Sequence, residues 1–316
     1  MKKTAIIGAG PIGSILAAHL AQNKQPVILV DVLKPHLDII KEKGIVISGV
    51  SQINVKIPDI CYEISQLKNL EIDYLFICVK ATVLQNIMTE VKKVISGQTN
   101  VISFQNGIDT EELVSQYVGA ARTLRVVINY AGNLIANGQV KMSFFNKPNY
   151  IGAIFPATGK IAQEIAGMMT QAGLDTEFTP EIKKYAWEKT ILNAALSPVT
   201  ALTGQTMKQA MDFPETRRLV VSLLEEGVAV AKAIPDGTGT GGYDYGADFM
   251  NHCLNYLDKA GHHKTSMHID VEAGRKTEID FLNKKIVEYG QKMGLPTPYH
   301  ETIVRLIKGI ENRFIK

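Results

Sequence analysis

A chain of 316 residues is too long for one small core and predicts two domains. Hydrophobic residues at 46% and charged residues at 21% are ordinary globular values and exclude a disordered chain. The net charge of +3 gives no support to a nucleic-acid surface, although it suits small anionic molecules.

The opening "MKKTAIIGAG" sets two lysines before an apolar run, as a signal peptide does. Glycines break that run within a few residues, and neither a cleavage-like site nor a spanning segment follows. A cytoplasmic protein without a membrane partner is expected. The cysteines, Cys61, Cys78 and Cys253, are too scattered for a disulfide framework or a zinc site, and Cys78 in "YLFICVK" reads as a buried strand thiol.

Strand and helix patterns alternate through the first half. "TAIIG" and "PVILVD" are short β-rich runs, and "PIGSILAAHLAQN" between them has helical spacing. "DYLFICVK" is a third buried strand, followed by the helical "ATVLQNIMTEVKKVI" and then "NVISFQNG". This βαβ succession predicts a doubly wound, mostly parallel sheet with helices on both faces. A hairpin is expected within "RTLRVVINYAGNLIANGQVKMSFF", turning at Asn137–Gly138, and "NYIGAIF" and "DTEFT" add strands that close this half.

From Pro180 onward helical periods dominate, over 181–203, 214–233, 246–260, 277–293 and 299–314. The expected domains are therefore 1–179 and 180–316, an α/β unit followed by an all-α unit. The glycine-rich "PDGTGTGGYDYG" at 235–246 follows no strand, and is read as a connection rather than a second nucleotide site. A mobile loop beside a cleft and a plain surface connection both fit it, the second more simply.

"IIGAGPIG" places Gly8, Gly10 and Gly13 in the spacing GxGxxG, with Pro11 and Ile12 between the last two. The motif follows a strand and opens a helix, the context in which it binds a dinucleotide. Gly8 allows the tight turn, Gly10 lets a pyrophosphate approach the backbone, and Gly13 lets the helix pack on the strand. The helix N-terminus then offers its free N–H groups to the phosphates. Asp31, at the end of "VILVD", can accept hydrogen bonds from the adenosine ribose hydroxyls and would repel a 2′-phosphate. NAD(H) is expected in preference to NADP(H), with Lys34 as the nearest cation. Asp31 as a helix cap is the alternative.

"KTILNAALSPVTALTG" (189–204) carries Lys189, Asn193 and Ser197 at successive i+4 positions on an otherwise apolar helix. A nicotinamide enzyme reducing a carbonyl needs a proton donor near the carbonyl oxygen, and a partly desolvated lysine suits that role. Snorkelling to the surface is an equal reading of Lys189 on helix physics alone. In "TSMHIDVEAGRKTEID" (265–280), an amphipathic helical region, Ser266 and Glu278 are candidate substrate partners. Arg275 is a carboxylate partner or a structural ion pair. His262 and His263 read as surface residues without a third metal ligand, and His268 has no evident role.

"GAGPIG", "CVKA", "QNG", "KTILNAALSPVTAL" and "SMHIDVEAGRKTEID", in this order and spacing, resemble the ketopantoate reductase family (2-dehydropantoate 2-reductase) from end to end. The resemblance implies an N-terminal Rossmann domain, an all-helical C-terminal domain and an active site between them. It also implies reduction of 2-dehydropantoate to (R)-pantoate, on the route to pantothenate and coenzyme A. Lys189 matches the family's proton-donating lysine and Glu278 the acid that positions the substrate. Asn193 and Ser266 match substrate-binding positions, while Lys80 and Asn106 match cofactor-side residues.

Two departures stand out. NADP-using members carry arginine where this chain has Asp31, and many members carry asparagine where it has Ser197, which could admit a different 2-keto acid. The alternatives are therefore a related dehydrogenase acting on another 2-keto acid, and a non-enzymatic NAD-sensing regulator. The resemblance further implies a homodimer.

Overall fold

Strand β1 (Thr4–Ile7) is buried at all four positions, as is β2 (Val27–Val30) beside it. A strand covered on both faces has no polar side to alternate with, which is why these segments read as continuous apolar runs. The computed structural model describes residues 2–235 and 242–314. The first half continues through α1 (Pro11–Gln22), α2 (Lys34–Lys43), β3 (Ile45–Gly49), β4 (Ile53–Val55), β5 (Asp59–Cys61), β6 (Tyr74–Ile77), α3 (Ala81–Val94), β7 (Asn100–Ser103) and α4 (Thr110–Val118). It closes with β8 (Thr123–Val127), β9 (Tyr130–Ala136), β10 (Gln139–Phe145), β11 (Asn149–Ala153), α5 (Gly159–Gln171) and β12 (Thr176–Phe178).

Eight strands form one sheet in the order β12-β11-β8-β7-β6-β1-β2-β5. Neighbours from β8 through β5 run parallel, and only the β8–β11 pair is antiparallel. The chain steps outward from β1 to β2 and β5, then crosses to β6 on the other side of β1. That reversal is the topological switch point at which such sheets bind nucleotides. The sheet is the expected doubly wound one. α3 and α4 cover one face through Leu84, Met88, Val91 and Val114, and α1 and α5 cover the other.

The expected hairpin turns at Asn137–Gly138, with β9 and β10 antiparallel, but its two strands do not join the main sheet. They pair with β3 and β4 in a second sheet, ordered β4-β3-β10-β9. α1 packs between the two sheets. Every residue from Gly13 to Leu20 is buried, and Ile15, Leu16 and Leu20 share a core with Ile45, Ile47, Val140 and Met142. A helix enclosed on all sides has no polar face.

The remaining helices are α6 (Ile182–Thr203), α7 (Met207–Asp212), α8 (Pro214–Ala233), α9 (Phe249–Asp258), α10 (Ser266–Glu272), α11 (Asn283–Met293) and α12 (Pro298–Glu311). α8 is the helix on which α7, α9, α11 and α12 pack. The helix expected over 277–293 begins only at Asn283. Gly274 (φ +62°) ends α10 in the left-handed conformation, with Arg275 N–H donating back to the Asp270 carbonyl. Thr277 then turns aside, its N–H and hydroxyl both donating to Glu311 at 2.7 Å. Glu278 therefore lies in a turn, not on a helix.

Two compact units result. One runs to Gln105 and again from Asp109 to Tyr185; the other takes Asn106–Ile108 and the described residues from Ala186 onward. The second unit is helical among its described residues, apart from one isolated bridge between Pro235 and Gly242. Most of the glycine-rich 235–246 segment lies outside the described residues. Among the described residues, no helix is long and apolar enough to cross a membrane.

Candidate functional site

The turn from β1 into α1 is built for glycine at three positions for three different reasons. Gly8 has φ +105°, and a Cβ there would lie 2.8 Å from the Val79 nitrogen. A Cβ at Gly13 would lie 1.9 Å from the Gly8 carbonyl oxygen. At Gly10 a Cβ would meet nothing within 4 Å, so protein packing does not require glycine there. A backbone cleared of side chain, at the head of a helix with no acidic residue in its first turn, fits a dinucleotide pyrophosphate. Pro11 and Ile12 stand at the first two helical positions, where Pro11 costs no hydrogen bond.

Asp31 follows β2 and faces this turn. One carboxylate oxygen accepts from Ala9 N–H at 2.6 Å and the other from Leu33 N–H at 2.9 Å. Leu33 is the N-cap residue of α2 and has no capping side chain of its own, so the bond to its N–H places Asp31 at that helix start as well as at the glycine turn. Each oxygen retains a second lone pair for ribose hydroxyls. Beside it, Lys34, Asp38, Tyr62, Glu63 and Gln66 line a cavity of about 320 Å³.

Sequence reasoning missed His36, which is fully buried on α2 beneath the glycine turn. Gly138 N–H donates to its Nδ1 at 3.0 Å, leaving the proton on Nε2, 3.5 Å from the Ser14 hydroxyl. Ser14 in turn donates to the Ala9 carbonyl at 2.8 Å. Burial holds the imidazole pKa below its ordinary value, opposed by the nearby Asp31 charge. The glycine turn is thus tied to the hairpin of the second sheet. Nothing in "KPHLDII" distinguishes His36 from a surface histidine except its i+4 spacing to Ile40.

At the ends of β6 and β7, Lys80 is exposed immediately before α3. Gln105, also missed, donates to the Ile77 and Val79 carbonyls at 2.7 and 3.2 Å and accepts from Ser103 at 2.8 Å. Ser103 meets Thr110 at 2.9 Å, and Thr110 contacts Arg125, whose guanidinium pairs with Glu111 at 2.6 Å. Arg125 and Glu111 are almost wholly buried, and the Arg125 charge holds the Glu111 carboxyl below the usual range against its desolvation.

The second unit gathers the rest. Lys189 and Asn193 are half-buried and Ser197 is buried, on one face of α6. Burial lowers the Lys189 amine from its ordinary 10.5 to about 8. Thr265, which caps α10, meets the Thr200 hydroxyl at 2.8 Å and the Ser197 carbonyl at 3.4 Å. Ser266, the next residue, is exposed and held close to the Ser197 turn. Glu278 is half-buried, and its carbonyl accepts from Phe281 N–H at 3.0 Å. Ile108 N–H donates to the Phe281 carbonyl at 2.9 Å, so the stretch Asn106–Ile108, from the first half of the chain, joins the second unit at the turn that follows Glu278. Gly8 through Gly13, Asp31 and Lys80 belong to the first unit, whereas Asn106, Lys189, Asn193, Ser197, Ser266 and Glu278 belong to the second.

Other candidates resolve structurally. Arg275 pairs with Asp270 at 2.9 Å, the structural one of its two readings. His262 and His263 are exposed, but His268 is buried between the Gln205 carbonyl at 3.1 Å and Glu272 at 3.2 Å. Cys61 and Cys253 are buried free thiols, and Cys78 lies just beyond β6, against Gly13.

Residues 4–155 match the family model for "Ketopantoate reductase PanE/ApbA", and residues 181–311 match the model for its C-terminal domain. A 2-dehydropantoate 2-reductase of Streptococcus pyogenes serotype M3 is 26% identical over 308 residues, 97% of each chain. One solved structure, D-mandelate dehydrogenase with NADH and anilino(oxo)acetate, has a TM-score of 0.86 at 24% identity, covering 99% of both chains. A PanE/ApbA family ketopantoate reductase from Ralstonia eutropha JMP134 has the same TM-score at 23% identity, covering 99% of this chain and 100% of its own. At these identities the solved structures speak for the fold. The two family models, which between them take in nearly all of both units, establish that this chain belongs to the ketopantoate reductase family of oxidoreductases.

Proposed function

We propose that this protein is a 2-dehydropantoate 2-reductase, converting 2-dehydropantoate to (R)-pantoate with NADH in preference to NADPH. The carrying observation is Lys189: a lysine whose burial lowers its pKa to about 8, on the helix face that also presents Asn193 and Ser197. Such an amine is protonated at neutral pH yet gives up its proton more readily than a surface lysine.

The nicotinamide cofactor, held by Gly8, Gly10, Pro11, Ile12, Gly13, Asp31, Lys80 and Asn106, would supply the hydride. Lys189 hydrogen-bonds the ketone oxygen, stabilises the negative charge that develops there, and transfers its proton to complete the alcohol. Glu278 accepts a hydrogen bond from the substrate hydroxyl. Asn193, Ser197 and Ser266 supply donors for the remaining substrate oxygens. Asp31 sets negative charge beside the glycine turn, and the neighbouring cavity carries Asp38 and Glu63 against the cation Lys34, a balance that supports the preference for NADH.

A second reading, a related dehydrogenase for another 2-keto acid, is favoured by Ser197 in place of asparagine and by the likeness to D-mandelate dehydrogenase. The deciding assay follows NADH and NADPH oxidation separately, with 2-dehydropantoate and with the 2-keto acid corresponding to mandelate. Turnover of the second acid alone selects the alternative, and NADPH oxidation alone overturns the cofactor assignment. Binding of NADH with no turnover of any 2-keto acid would leave a nucleotide-sensing regulator. A cytoplasmic location and a homodimer are part of the proposal, the dimer supported by Tyr299 and Leu306, seven residues apart and exposed on α12. Sedimentation at monomer mass would remove that part.

A further inference from the structure

Helix α6 contains Pro198. Proline has no backbone N–H, so the Ala194 carbonyl, four residues earlier in the chain, loses its helical donor. Ala194 is wholly buried, where an unmet carbonyl is costly. The side-chain amide of Asn283, first residue of α11, fills the vacancy: its Nδ2 donates to the Ala194 oxygen at 2.8 Å. A carbonyl can only accept, so the amide nitrogen must face it. The second hydrogen on that nitrogen goes to Nδ1 of His300 at 3.0 Å, and His300 Nε2 donates to the Leu223 carbonyl at 3.0 Å. Each polarity in this chain fixes the next, and Asn283 and His300 are both fully buried. Burial lowers the His300 pKa to about 4, keeping Nδ1 an acceptor at neutral pH.

The bridge also links two parts of the candidate site. On one side, Ala194 follows Asn193 and precedes the Ser197 turn. On the other, Leu282 N–H, adjacent to Asn283, donates to the Glu278 carbonyl at 3.2 Å. We propose that Asn283 is a positioning residue: it stands in for the N–H missing at Pro198 and thereby sets the register of the Glu278 turn against the α6 face bearing Asn193 and Ser197. This rests on the substrate roles proposed above.

An Asn283→Leu variant keeps the approximate shape and removes both donors. Pro198→Ala restores a backbone N–H that can satisfy Ala194 from within the helix. The two single variants and the double variant form a cycle, read by thermal unfolding and by steady-state kinetics of the full chain. Asn283→Leu is expected to raise KM for the 2-keto acid about tenfold while leaving KM for NADH within about twofold. In the Pro198→Ala background the same change should shift KM by less than about threefold, and the loss of Tm should at least halve. Failure of Asn283→Leu to fold, with folding regained in the double variant, supports the stand-in for the missing N–H, and the positioning role is then read from Asn283→Ser, whose substrate KM should rise while KM for NADH does not.

Unchanged substrate KM in folded Asn283→Leu overturns the proposal. So do equal effects in both backgrounds, or failure to fold in both. A wild-type protein that reduces no 2-keto acid defeats the functional reading instead, and the Tm cycle then reports the Pro198–Asn283 coupling by itself.

Discussion

Titrating the reduction from about pH 6 to about pH 10 tests the Lys189 amine directly. The donor must carry its proton, so kcat/KM for reduction should fall tenfold per pH unit above about 8, and the reverse oxidation should rise over the same range. Lys189→Arg keeps the charge but holds its proton throughout, so its lower activity should lose the alkaline limb. Lys189→Met should cost roughly 10²–10⁴-fold in kcat. Stability should move the opposite way. The gap between 10.5 and about 8 is worth about 3 kcal/mol for a fully dry amine, and the half-buried position reduces that to about 1–2 kcal/mol. Because the folded pKa lies below the unfolded one, this cost is full below pH 8 and is relieved as pH rises toward 10.5. Urea unfolding at neutral pH should therefore find Lys189→Met more stable than wild type. A flat wild-type rate profile through about pH 10, together with a destabilised Lys189→Met, would refute both the proton-donor role and the desolvation argument.

The glycine turn makes a paired prediction. Gly10→Ala should leave Tm within about 1 °C while weakening NADH binding at least about tenfold by calorimetry, whereas Gly13→Ala should lose about 2 kcal/mol or more of stability. Asp31→Arg should move the NADPH/NADH ratio of kcat/KM upward by about 10²-fold, and an unmoved ratio would separate Asp31 from cofactor choice. Glu111→Gln strands the buried Arg125 charge and should cost about 3–5 kcal/mol in urea unfolding. The Glu111 carboxyl is depressed in the fold, so its contribution is present above the ordinary carboxylate range and should disappear as pH falls below it.

What could be read in advance follows from how each feature is encoded. The parallel strands and α1 were legible because uninterrupted apolar runs and one glycine motif specify them locally. β3, β4 and β5 were not: they span three to five residues each, β3 and β4 belong to a sheet completed by a hairpin about 90 residues later, and β5 is a three-residue edge strand beside β2. The 277–282 turn was hidden because its helical spacing is overruled by Gly274 and by Glu311, more than 30 residues downstream of Thr277. The candidate site divides in the same way. Lys189, Asn193 and Ser197 are visible as an i+4 stripe, but the roles of His36, Gln105 and Asn283 exist only through partners remote in the chain.

The three residues Asn106–Ile108 bear on any attempt to prepare the helical half alone. A fragment starting at Ala186 would omit them, leaving the Phe281 carbonyl without its donor and vacating the space that Gly107, at φ +102°, occupies against Phe281. That half is assembled from two stretches of polypeptide. Any autonomous version must carry the short insert back in, as a grafted loop or a complementing peptide.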